Sequence, residues 1–88
     1  MNKRMLVGTI THFFSKIRVA GIMVSDQLVV GDRILIIGHT TALEQIANSM
    51  ELDHQPIEVA RAGQEIGLRV IDRVRKGDEV YRLTETEA

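Results

Sequence analysis

Three histidines, His12, His39 and His54, are the side chains of this 88-residue chain that titrate near neutral pH. A zinc-type site would need them to converge, with Asp26 or Asp53 as a further ligand. They stand in or beside three separate strand-end regions, at no ligand-like spacing. Turn and surface roles are therefore expected for them, with no metal and no other cofactor. Nucleophilic catalysis finds no better footing. The chain has no cysteine, and Ser15, Ser25 and Ser49 do not sit in a Gly-x-Ser-x-Gly elbow. Asp32 and Asp78 occupy equivalent positions after a glycine, where bonding to the turn backbone accounts for both. No catalytic residue is assigned, and the chain is read as a non-enzyme.

Binding chemistry is the alternative. Arg69, Arg73, Arg75, Lys76 and Arg82 gather late in the chain, with Arg61 just before them, and could meet phosphates through planar paired donors. Glu65, Asp72, Asp78, Glu79 and Glu85 are interleaved, so much of that field cancels. Phe13, Phe14 and Tyr81 are too few for a base-stacking platform. The net charge of −1 supplies no global basic field. An ordinary solvated face is the stronger reading of the arginines, and RNA contact the sharper alternative.

A repeated local unit organises the chain: Gly31-Asp32-Arg33-Ile34, Gly63-Gln64-Glu65-Ile66 and Gly77-Asp78-Glu79-Val80. Each reads as a turn that launches a strand. Glycine supplies a positive φ, the next residue bonds the turn, and a β-branched residue opens a pleated run. The launched strands are expected over 33–37, 65–71 and 78–83, and the others over 5–14 and 17–24, with Gly8 marking a bend or bulge. Residues 41–52 are ambiguous: Leu43, Ile46, Ala47 and Met50 have helical spacing, whereas Ile46, Met50 and Leu52 share one strand face. Asp53 to Pro56 ends whatever precedes it. Residues 57–62 read as a short connector with at most one helical or 3₁₀ turn. One domain is expected over 1–88, with a barrel over about 5–83 and a frayed acidic tail over 84–88. The apolar stretches are too short to span a bilayer, and the lack of cysteine fits a cytoplasmic location.

The apolar excess is more informative than the charges. If Ala20, Ile22, Val24, Ile34 and Ile36 point into a barrel, then Val19, Met23, Leu35 and Ile37 point out of it. An outer patch on those two strands would be a contact surface for a protein partner or a second copy, unless segment 41–52 folds over it.

The order of these pieces resembles the second, β-barrel domain of translation elongation factor Tu and related translational GTPases. The matching residues are Gly8-Thr9-Ile10, Val30 to Ile34, Ile36-Ile37-Gly38, Ala60 to Leu68, and Arg75 to Val80. The chain is more similar still to stand-alone elongation-factor-like proteins and to the C-terminal domain of the collagenase-like peptidase family. That likeness rests on Gly38-His39-Thr40-Thr41, Glu44-Gln45, Ser49-Met50, and Asp53-His54 with Pro56. The resemblance implies an all-β fold, a small closed or nearly closed antiparallel barrel of about six strands, in which 41–52 is one long strand. It does not carry GTP binding, because no Gly-x-x-x-x-Gly-Lys-Ser/Thr loop is present, nor proteolysis, because no peptidase body is present. The expected function is a binding or accessory module contacting protein or RNA-linked substrates. Direct tRNA binding, or service as an accessory subunit of a collagenase-like peptidase or related RNA-modifying enzyme, are the alternatives. Loop residues His12, Lys16, His39, Thr40, His54 and Arg61 are the candidate contacts. Val19, Met23, Leu35 and Ile37 are the candidate interface.

Overall fold

A computed structural model describes residues 2–85. Among them there is no helix and there are ten strands. They are β1 (Asn2–Phe14), β2 (Val19–Val24), β3 (Leu28–Val29), β4 (Arg33–Ile37), β5 (Ala42–Ile46), β6 (Met50–Leu52), β7 (Gln55–Ile57), β8 (Val59–Ala60), β9 (Glu65–Arg69) and β10 (Glu79–Glu85). Eight form one antiparallel sheet in the order β5-β4-β10-β1-β2-β9-β6-β7, and β3 pairs with β8 separately.

All three glycine-led units adopt one geometry. Gly31, Gly63 and Gly77 have φ of 102°, 91° and 93°. The residue after each glycine donates its N–H to the carbonyl three residues back: Asp32 to Val29, Gln64 to Arg61 and Asp78 to Arg75. Its side chain then accepts from that same residue's N–H, at 2.9 Å in Asp32–Val29, 2.8 Å in Gln64–Arg61 and 2.8 Å in Asp78–Arg75. Each turn is thus locked twice by one residue, and β4, β9 and β10 start directly after it.

Two bulges steer the long β1. Register shifts between Leu6 and Gly8 against β10, and between Ile10 and His12 against β2. An extra residue at each point bends the strand. Val7, Gly8 and Ile10 stay buried through the bend. The core is one cluster in which Ala20, Ile22, Val24, Ile34 and Ile36 all face inward, as their alternation implies. Leu28, Met50, Leu68, Val74 and Val80 complete it. No buried side-chain nitrogen or oxygen among the described residues lacks a partner.

Several expectations are corrected. The sheet is not closed into a six-stranded barrel: it has eight strands with β5 and β7 as its edges, plus the β3–β8 pair. A side chain spans part of the gap. Gln45 of β5 donates to the Arg69 carbonyl (2.9 Å) and accepts from the Ile71 N–H (2.9 Å). Residues 41–52 are two strands rather than one long one. Ala47 between them is fully buried and exchanges backbone bonds with Gly31 and Asp32, which pulls the chain out of the pleat. Asp53 and His54, both at positive φ, form the two-residue turn of the β6–β7 hairpin. Pro56 is tolerated because β7 is an edge strand. Residues 57–62 hold the end of β7 and all of β8 instead of a helical turn, and Ile17 lies in the β1–β2 turn outside the strand. The last strand runs to Glu85, and the rest of the expected tail, 86–88, lies outside the described residues.

Candidate functional site

Two surfaces gather chemistry. The first is built on an outward row of residues that crosses five strands. His12 pairs with Gly21, Gly21 with Gly67, Gly67 with Glu51, and Glu51 with Pro56. The two central positions have no side chain, and local packing crowds a Cβ at both, more severely at Gly21 than at Gly67. The β1 bulge brings Thr11 over Gly21, where a Cβ would lie 2.8 Å from the Thr11 Oγ1. At Gly67 a Cβ would lie 3.2 Å from the Val19 Cγ1. The result is an open trough of about 610 Å³ across the middle of the sheet. Phe14, Ile17 and Val19 make one wall, while Glu51, Asp53 and His54 of the β6–β7 hairpin make the other, with Glu65 and Arg69 from β9. Phe14 and Ile17 are 49% and 61% exposed, which is unusual for large apolar groups. His12 braces Phe14, with ring centroids 4.4 Å apart. The Thr11 hydroxyl donates to Glu65 Oε2 at 2.8 Å. The trough therefore has its apolar groups on the β1–β2 side and the Glu51 and Asp53 carboxylates on the hairpin side, with Glu65 and Arg69 of β9 on either side of Gly67, and its three carboxylates outnumber its one arginine.

The second surface lies at the end of the sheet where the β1–β2 turn meets the loop after β9. The Val70 N–H donates to the Arg18 carbonyl (2.9 Å), and Arg18 Nη1 donates to the Ile71 carbonyl (3.3 Å). Lys16, Arg18, Arg69, Arg73, Arg75 and Lys76 are all exposed on these segments. Among the described residues, ion pairing joins Arg33 to Glu44 (3.8 Å) on β4 and β5 and involves none of these six. A notch of about 270 Å³ opens there between Thr40–Leu43 and Asp72, Arg73 and Arg75.

The six expected contact residues do not form one site. His54 lines the trough, His12 packs on the Phe14 of its wall, and Lys16 stands in the turn beside Ile17. Thr40 lines the basic notch, with His39 in the same loop. Arg61 is at the opposite end of β9, where the Gly63 N–H donates to the Val24 carbonyl (2.8 Å). Arg82, grouped by sequence with the late cations, also turns away and donates to the Gln27 carbonyl. The described residues hold no group of three His, Asp or Glu side chains able to bind a metal.

The four expected interface residues are split as well. Strands β10 and β1 stand between β4, which carries Leu35 and Ile37, and β2, which carries Val19 and Met23. Leu35 lies beside Tyr81, and Tyr81 beside Leu6. Met23 pairs with Thr9 and Glu65, and Val19 with Phe14 and Arg69. Met23 is 42% exposed, whereas Val19, Leu35 and Ile37 are half-buried. Reading along the chain missed Gly21 and Gly67 as a pair. The available signal was a glycine in the middle of each of two apolar runs, which marks a close approach.

No family model matches the chain. It is 39% identical over 85 residues to an uncharacterised protease of Methanocaldococcus jannaschii, covering 96% of this chain and 21% of that protein. It is 33% identical over 87 residues to a collagenase of Porphyromonas gingivalis, again covering 97% of this chain and 21% of the collagenase. The chain thus spans about a fifth of the length of these curated relatives. In fold it is similar to the crystallised C-terminal domain of a Geobacillus thermoleovorans protein assigned to the U32 peptidases. The TM-score there is 0.83 at 12% identity, covering 88% of this chain and 90% of that one. The chain thus aligns with a part of a protease and a part of a collagenase, and it has the fold of a U32 peptidase C-terminal domain. No helix among the described residues is long and apolar enough to cross a membrane.

Proposed function

We propose that this chain is a non-catalytic accessory module that works with a collagenase-like peptidase body and contacts polypeptide. The observation that carries this reading is the extent of the match. Nearly the whole chain aligns with about a fifth of a protease. A domain of the same fold has been crystallised apart from the rest of its peptidase. A unit separable from the bulk of the enzyme is suited to positioning a substrate or another domain. The lack of cysteine supports a cytoplasmic setting.

The test mixes the purified chain with a collagenase-like peptidase body that lacks this domain. Association by sedimentation, together with a lower KM for a gelatin-derived peptide at unchanged kcat, is the expected result. No association and no change in either constant would overturn the reading.

A second reading, contact with RNA, is favoured by the six exposed cations at the basic end, none of them joined to a carboxylate among the described residues, and by the elongation-factor resemblance. Its test is tRNA binding across a salt series, because each phosphate contact adds to the slope of log K against log salt. Affinity that ignores salt would remove it.

A further inference from the structure

The geometry points to the trough over Gly21 and Gly67 as a docking slot for an extended basic peptide segment. This inference rests on the reading of the chain as a polypeptide-contact module and names the chemistry of its partner. The slot crosses from Phe14 on β1 to Glu51 on β6, a distance of three strand spacings, or about 14 Å at about 4.8 Å each. An extended peptide rises about 3.3 Å per residue, so roughly four residues span it. Side chains two apart share a face. A residue seated against Phe14, Ile17 and Val19 therefore places the side chain four positions later over Glu51 and Asp53. The residue between them, on the same face, lies over the glycine floor.

Charge selects the occupant. Glu51, Asp53 and Glu65 outnumber Arg69 in the trough, so a lysine or arginine is favoured at the hairpin end and a carboxylate is repelled. The Phe14 ring, half exposed and braced by His12, offers a flat apolar seat at the other. A nucleic-acid strand is disfavoured here for the same reason that a basic peptide is favoured. The slot and the basic end are thus two surfaces of opposite sign, joined at Arg69, which contributes to both.

The test is fluorescence polarisation on the full chain with two labelled dodecapeptides. One carries a leucine and a lysine four residues apart among glycine and serine, and the other carries glutamate in place of the lysine. The lysine peptide is expected to bind at least ten-fold more tightly. Glu51→Lys should abolish that preference, and Phe14→Ser should weaken the lysine peptide several-fold, with thermal melts within a few degrees of the parent. Glu51→Gln, which keeps size and removes only charge, should fall between. Equal binding of the two peptides, no binding of either, or a preference untouched by Glu51→Lys in a folded protein would overturn the slot. The peptidase-association test is read separately, so a failed slot leaves that reading standing, and a failed association leaves the peptide titration to be judged alone.

Discussion

The pairing of Gly38 with Asp78 gives the sharpest test of how this fold is held. Asp78 is only 4% exposed, and its Oδ2 accepts the Arg75 N–H at 2.8 Å. Its other oxygen occupies the space that a side chain at Gly38 would need: a Cβ there would sit well inside contact distance of Asp78 Oδ1. Removing the carboxylate by Asp78→Ala forfeits a hydrogen bond to a charged acceptor, worth about 1.5–3 kcal/mol. For a domain of this size that corresponds to a fall in Tm of roughly 6–24 °C. Gly38→Ala should cost a similar amount, because the methyl group can enter only by expelling the same carboxylate. The double variant should then cost little more than Asp78→Ala alone, giving a coupling of about 2 kcal/mol. Gln64→Ala supplies the control. It removes the same turn lock with a neutral acceptor on a less buried side chain, and should cost about 0.5–1 kcal/mol. Urea denaturation followed by far-UV circular dichroism reads all four. Additive costs for Gly38→Ala and Asp78→Ala, or a Gln64→Ala loss equal to that of Asp78→Ala, would refute the argument.

Gln45→Leu should remove the side-chain clasp between β5 and the segment after β9, costing about 1–3 kcal/mol, with faster hydrogen exchange at the Ile71 amide as the local signature. The chain's single tyrosine, Tyr81, donates to Glu79 Oε1 at 3.0 Å, and this bond raises the phenol above its ordinary value of 10. The bond's contribution is therefore present at lower pH and lost as pH rises through the raised value. An absorbance titration should show Glu79→Gln ionising earlier than the parent. Arg73→Glu with Arg75→Glu should flatten the salt dependence of tRNA affinity at the basic end, whereas Arg61→Glu, at the other end of β9, should leave it unchanged.

Local chemistry was legible in the chain because it depends on neighbours in sequence. The three turns, their positive φ, and the roles of Asp32 and Asp78 as turn locks all follow from four-residue units. The inward face of β2 and β4 follows from a period of two. Gly8 announced its bulge. The short strands β3, β7 and β8 were not legible, because two or three residues carry no periodicity. Closure was not legible either, since an apolar face fits an open curled sheet as well as a sealed barrel.

By itself, the sequence determined a strand-rich chain with one core and three rigid strand starts, and left 41–52 open between helix and strand. Only the tertiary structure decided which surface residues act together. Strand order separates Val19 and Met23 from Leu35 and Ile37 by inserting β10 and β1 between their strands. It sends Arg61 and Arg82 away from Arg73 and Arg75, and brings Lys16 and Arg18 to them instead. It also sets Gly21 beside Gly67, opening a trough between residues far apart in the chain. The physical reason is common to all three: side-chain direction is set by local parity, but adjacency on a sheet is set by long-range backbone pairing.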